Sequence, residues 1–290
     1  MPAYRSLRSA GSVVQELVRK VDKLQSGHVE EASGIATGFD VFDKLTGGLR
    51  RGEVTLLAAR PSVGKTAFAM HVTTQVATVQ KLPVLVVSTS MSACDWTLMA
   101  VCSAVGCPPF HARSGLLSPD ESLAFMAAAS ELEASPLYID ETLSLDANEV
   151  AMTARYMAST LGQHPCLVVV DGLENLVECV ADNEENGLGA ALLVLKAMSE
   201  ELNCAVLVLT GLPSTKSLRR NERPRLVDFR SVGMLDRFSD SVIFLYQDSR
   251  SELLANQSID IEILLAKQRH GAIGTIMMKF LRSQMRYVPA

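Results

Sequence analysis

Leu56-Leu57-Ala58-Ala59-Arg60-Pro61-Ser62-Val63-Gly64-Lys65-Thr66 is an apolar run, then a tight turn, then the opening of a helical pattern. Ala59, Gly64, Lys65 and Thr66 have the spacing of a phosphate-binding loop, with Ala at the place of its usual first Gly. Such a loop points successive backbone N–H groups at phosphates, and the following helix adds its N-terminal partial positive charge. The stretch Ala59, Arg60, Pro61, Ser62, Val63, Gly64, Lys65 and Thr66 is therefore the candidate nucleotide-binding segment. Lys65 is expected to reach the β/γ-phosphates and the Thr66 hydroxyl to hold Mg²⁺, so ATP and Mg²⁺ are the implied ligands. The competing reading is a glycine-containing turn with a surface lysine.

Outward from the loop, the chain alternates apolar strands with helical stretches. A helix is expected over Thr66–Gln80, then a strand over Pro83–Ser88 that no polar residue interrupts, as in buried parallel strands. Helices are expected near 92–105 and 119–134, a strand at Leu137–Ile139 and a helix at 146–161. Cys166–Asp171 is a second strongly apolar strand, and it ends in a carboxylate. Apolar residues closed by an Asp at a strand end are the pattern that holds a magnesium ion's water shell, so Asp171 is the second candidate Mg²⁺ ligand. A helix at 187–202 and strands at 205–210, 242–246, 260–266 and 273–280 complete the pattern. The alternation predicts an α/β fold with a doubly wound, mainly parallel sheet and ligands at the carboxyl ends of its strands. Before all this, Val14, Leu17, Val21 and Leu24 recur at helical spacing from Ser12, and a polar linker follows. Residues 1–33 are read as tail, helix and linker, and 34–290 as one domain.

Bulk properties exclude several classes. The net charge of −5 leaves no overall basic footprint, so a nucleic-acid site must be a local patch. No apolar run approaches membrane-spanning length, and no secretory h-region is visible, so no membrane role is expected. The six cysteines (Cys94, Cys102, Cys107, Cys166, Cys179, Cys204) have no CxxC or zinc spacing, and most lie in apolar segments and read as buried hydrophobes of a reducing cytoplasm.

The lead-in to the loop is Gly34-Ile35-Ala36-Thr37-Gly38-Phe39-Asp40, followed by Leu45-Thr46-Gly47-Gly48-Leu49 and Gly52-Glu53. With Lys267-Gln268-Arg269-His270-Gly271 near the C-terminus, this resembles the RecA-like motor domain of hexameric replicative DNA helicases of the DnaB family. The resemblance runs from about Ser12 to the end of the chain; the family's N-terminal helical domain has no counterpart in it. It implies a RecA-like P-loop NTPase. It makes the first helix a linker helix that packs on the adjacent protomer of a homo-oligomeric ring, a hexamer. It implies that Lys267 and Arg269 reach the neighbouring subunit's γ-phosphate and act in catalysis beside Lys65 and Asp171. It also places a DNA-gripping channel loop at 213–229, which carries Lys216, Arg219, Arg220, Arg223 and Arg225. Such contacts bind single-stranded DNA without sequence preference. Other replisome proteins are further implied partners.

Three departures from the family pattern matter. Ser90, in Ser88-Thr89-Ser90-Met91, stands where the family has the Glu that activates the attacking water. Asp95 and Glu174 are the carboxylates nearby in sequence. Gly211 stands where the family has a Gln that senses the γ-phosphate. The loop after Asp171 is acidic, with Glu178, Asp182, Glu184 and Glu185. Two main readings follow: an ATP-driven, ring-forming DNA helicase for replication, or an ATP-binding scaffold or regulator of a replication complex that does not hydrolyse. A RecA-like recombination or regulatory ATPase is a third.

Overall fold

The computed structural model describes residues 9–25, 34–176, 184–212, 223–229, 235–248 and 258–290. The chain divides into two compact units, Met1–Gly34 and Ile35–Ala290. In the first, α1 (Ala10–Gln25) is amphipathic, and Val13, Val14, Leu17, Val18 and Val21 are all exposed.

The second unit is built on a nine-stranded sheet. Its strands are β1 (Val54–Ala59), β2 (Val84–Ser88), β3 (Leu137–Asp140), β4 (Leu167–Asp171), β5 (Ala205–Gly211), β6 (Ser241–Tyr246), β7 (Ile259–Gln268), β8 (Gly274–Leu281) and β9 (Arg286–Pro289). The order across the sheet is β3-β2-β4-β5-β1-β6-β7-β8-β9. The first six strands in that order run parallel, and β7, β8 and β9 close the far edge as antiparallel hairpins. The helices are α2 (Asp40–Thr46), α3 (Lys65–Thr74), α4 (Ala93–Val105), α5 (Pro109–Ser114), α6 (Pro119–Glu133), α7 (Ala147–Thr160), α8 (Glu184–Leu202) and α9 (Leu235–Phe238).

Every residue of β1 is buried because both faces of the sheet are covered. Leu57 and Ala59 meet Phe68, Met70 and Val72 of α3 on one face. Val54, Leu56 and Ala58 belong to the other layer, with Val150 and Ala154 of α7 and Leu192 and Leu195 of α8. Local signals start the helices where the periodicity begins. Ser118 and Asp146 each form a reciprocal capping box, with Glu121 and Glu149.

Some boundaries differ from the sequence reading. The helix expected to Gln80 keeps α geometry only to Thr74 and continues as a π turn over Gln75–Val79. There Thr73 and Thr78 hydroxyls bond back to carbonyls of the preceding turn, which competes with regular helical bonding. β7 extends through Gln268, so Lys267 and Gln268 are strand residues rather than turn residues. The helices α2 and α5 and the strand β9 had no counterpart in the sequence reading.

Candidate nucleotide-binding site

The loop leaves β1 after Ala59 and enters α3 at Lys65. Two residues in left-handed geometry shape it, Ser62 at φ 64° and Gly64 at φ 101°. A Cβ on residue 64 would lie 2.6 Å from the Tyr287 hydroxyl, so Gly is needed for space as well as for φ. That hydroxyl donates to the carbonyls of Val63 (3.0 Å) and Gly64 (3.3 Å), so β9 props the loop from below. Nothing in the sequence pointed to Tyr287.

Lys65 and Asp171 converge at the carboxyl ends of β1 and β4. Lys65 Nζ donates to the Ala59 carbonyl at 3.3 Å. Burial lowers its pKa, and the charges of Glu174 and Asp171 oppose that shift. Asp171 is buried, which raises its pKa; the neighbouring Thr66 hydroxyl and Lys65 pull the other way. Asp171 Oδ2 is buried with no hydrogen-bond partner. An orphaned carboxylate oxygen beside a threonine hydroxyl is a donor set suited to a hydrated divalent cation. The residues present therefore fit Mg²⁺ held by Thr66 and Asp171, and phosphates held by the loop and Lys65.

The two carboxylates considered as stand-ins for the missing Glu differ. Asp95 serves the start of α4: it accepts from the Ser92 hydroxyl at 2.9 Å and pairs with Arg113 at 2.5 Å. Glu174 instead turns back into the site on a 3₁₀ turn, Leu173–Asn175. Its Oε1 accepts from the Gly211 N–H at 3.1 Å, and its Oε2 is buried without a partner. Ser90 is exposed. Its neighbour Thr89 is committed to the β4 end, donating to the Asp171 carbonyl at 2.7 Å.

The basic pair at the end of β7 splits. Lys267 is half-buried, its pKa lowered by desolvation and by Arg269, and its Nζ donates to the backbone carbonyls of Asp236 and Ser239. Arg269 is 54% exposed and pairs with Asp240 at 3.2 Å. Asp240 is itself 2% exposed and also accepts from Val54 N–H (2.9 Å) and Lys196 Nζ (2.8 Å). This hub, whose members lie far apart in the chain, carries no signal in the linear sequence. His270 is exposed and lies 3.5 Å from Glu53.

Of the expected DNA-contacting residues, Lys216, Arg219 and Arg220 lie outside the described residues, as do Glu178 and Asp182. Arg223 makes a two-pronged ion pair with Glu262 of β7, at 2.7 and 2.9 Å. Arg225 is exposed, and its backbone N–H bonds Asp228 at 2.6 Å. Glu184 and Glu185 open α8. Further along α3, a cavity of about 570 Å³ is lined by Phe39, His71, Gln75, Ser103 and Arg286.

Residues 34–289 match the family described as DnaB-like helicase C terminal domain. The chain is 31% identical over 277 residues to the replicative DNA helicase DnaB of Geobacillus stearothermophilus, covering 94% of this chain and 60% of that protein. It is 30% identical over 292 residues to the replicative DNA helicase DnaC of Bacillus subtilis strain 168, covering 99% of this chain and 64% of that protein. The chain thus spans 60% and 64% of the length of these relatives. A solved ATPase domain superposes with a TM-score of 0.85 at 26% identity, over 97% of this chain and 100% of its own. A solved DnaB-like replicative helicase, described with its interactions with primase, gives a TM-score of 0.82 at 25% identity, over 99% of this chain and 69% of that one.

Proposed function

The chain belongs to the DnaB-like helicase C-terminal domain family, and from that premise we propose that it is the ATP-driven motor part of a ring-forming replicative DNA helicase. The observation that carries this reading is the convergence of a left-handed phosphate loop, a desolvated Lys65 and the buried carboxylate of Asp171 at the carboxyl ends of β1 and β4, two strands separated only by β5. In this reading the loop amides and Lys65 bind and orient the β/γ-phosphates, while Thr66 and Asp171 hold Mg²⁺, which neutralises developing charge. The low local dielectric strengthens each of these interactions.

Arg269, more than half exposed and with its guanidinium paired to Asp240, is the residue proposed to reach a neighbouring subunit's nucleotide. Lys267, bonded to two carbonyls of its own chain, suits a role in orienting that hairpin. The assembly is a homo-hexamer in this reading. Its support is the apolar stripe of α1 and, within the second unit, Phe110, Leu123 and Met126, exposed on α5 and α6, which offer a second copy an apolar surface. Single-stranded DNA is the proposed substrate of the basic loop holding Lys216, Arg219, Arg220, Arg223 and Arg225. A primase or another replication protein is a proposed partner. No helix among the described residues is long and apolar enough to cross a membrane, and a cytoplasmic site of action is proposed.

Ser90 and Gly211 favour a second reading, in which ATP is a structural clamp that is bound and not hydrolysed. The test is ATP turnover by the purified chain with and without single-stranded DNA, beside Lys65→Ala. Turnover stimulated by DNA and abolished in Lys65→Ala is expected. Turnover that survives Lys65→Ala, or the absence of nucleotide binding, would overturn the motor reading. Chromatographic sizing with ATP tests the ring, which deletion of residues 1–27 is expected to weaken.

A further inference from the structure

We propose that Glu174 is the carboxylate that positions the attacking water in this chain and takes its proton, doing from the end of β4 what Ser90 cannot do from the end of β2. This rests on the motor reading above and assigns a residue that the sequence pattern leaves vacant.

The placement comes from backbone geometry. Gly172 sits at φ 107°, and a Cβ there would lie 2.6 Å from the Thr89 hydroxyl. The chain can therefore turn sharply just after Asp171, against the loop that follows β2. The 3₁₀ turn then carries Glu174 back beneath the end of β5. Oε1 is anchored by the Gly211 N–H, which fixes the side chain.

Gly211 and Glu174 fit each other. A Cβ at residue 211 would stand 3.4 Å from Glu174 Oε1, in van der Waals contact, so a longer side chain running along that contact would meet the carboxylate. On this assignment the departure at Gly211 makes room for the group that answers the departure at Ser90. The side chain absent at 211 leaves the volume that Glu174 occupies.

The carboxylate is also tied to the phosphate loop. Gly211 is the register partner of Ala59 across β5 and β1. The next amide, Leu212 N–H, donates to the Ala59 carbonyl at 3.1 Å, and Lys65 Nζ donates to that same carbonyl. Among the charges acting on Lys65, Glu174 stands ahead of Asp171.

A purely structural role would need only Oε1. Oε2 is buried and partnerless, a costly condition for a carboxylate oxygen that bound water would relieve. In the step assigned here, Glu174 accepts one proton of a water whose oxygen bonds to the γ-phosphorus. The bond from that phosphorus to the β–γ bridging oxygen breaks, ADP leaves with the electron pair, and the proton passes to the departing phosphate.

The experiment compares the parent chain with Glu174→Gln and Glu174→Asp, under saturating DNA and Mg²⁺. It measures turnover, equilibrium binding of a fluorescent ATP analogue, and the identity of nucleotide retained after rapid filtration. Gln keeps the volume and the acceptor for Gly211 N–H. Glu174→Gln is expected to lose about 10²–10⁴-fold in turnover, to bind the analogue within about threefold of the parent, and to retain ATP rather than ADP. Glu174→Asp, charged but shorter, is expected to fall between the two. Turnover by Glu174→Gln at the parent rate overturns this assignment and leaves the motor reading standing. Loss of binding along with turnover overturns it in favour of a structural role. A parent that binds ATP without turning it over removes the step and supports the clamp. A parent that binds no nucleotide removes the motor reading as well.

Discussion

Replacing Asp240 with alanine removes a side chain that joins the start of β1, α8 and the basic hairpin. Three donors converge on its carboxylate: Val54 N–H, Lys196 Nζ and the Arg269 guanidinium. Their losses are unequal. Val54 is fully buried, and an amide left there without an acceptor costs about 1–3 kcal/mol. Lys196 keeps the Gly52 carbonyl at 2.7 Å and Glu200 at 3.3 Å, so it forfeits only part of a charge-assisted bond, about 1–2 kcal/mol. Arg269 is more than half exposed, and solvent screening limits its share to about 0–1 kcal/mol. The expected loss is about 2–6 kcal/mol, a fall in Tm of roughly 4–24 °C for a domain of this size. Asp240→Asn keeps an oxygen for Val54 and should lose about half as much. Thermal unfolding by circular dichroism, without nucleotide, measures both. An alanine variant within about 2 °C of the parent would refute the reasoning. So would an asparagine variant as unstable as alanine, because the Val54 amide would then not be the main loss.

Gly211→Gln, which restores the family residue, is expected to lower turnover by about tenfold or more, because the added side chain competes with Glu174 for one volume; a rise in turnover would count against that pairing. Gly64→Ala should destabilise the chain by about 1–3 kcal/mol, since the residue sits at φ 101° with Tyr287 Oη 2.6 Å from the new methyl. Titration with a fluorescent ATP analogue should show binding weakened by about tenfold or more. His71 stacks on Phe39 at 4.1 Å, and burial lowers its pKa below the ordinary 6.5. Its contribution to stability is complete above the unfolded-state value and is lost as pH falls through the lowered folded value. His71→Phe should keep the stack and lose that part of the acid sensitivity; parallel stability curves for parent and variant between about pH 7 and pH 5 would argue otherwise.

The central strands and the phosphate loop were legible in the linear chain because their chemistry is local. A parallel strand covered on both faces must be apolar throughout, which is why Leu56–Ala59, Val84–Val87 and Leu167–Val170 read as strands before any coordinates. The loop's spacing names Gly64, Lys65 and Thr66 because that order of residue types cradles a phosphate at a helix start. β9 was invisible because four residues carry no periodicity. Its Tyr287 bears on the loop through hydrogen bonds to Val63 and Gly64, more than two hundred positions away.

The vacancies at Ser90 and Gly211 were equally plain in the sequence, where they read as two separate losses. Folding brings a carboxylate to one of them. The turn at Gly172 swings Glu174 under Gly211, and its charge acts on Lys65 across the adjacent strands β1 and β5. A one-dimensional pattern records which residue types stand at which spacing, and so it determined the loop, the strands and the family. Which carboxylate comes to the end of β5 depends on strand order and on one left-handed glycine, and only the tertiary structure could decide that.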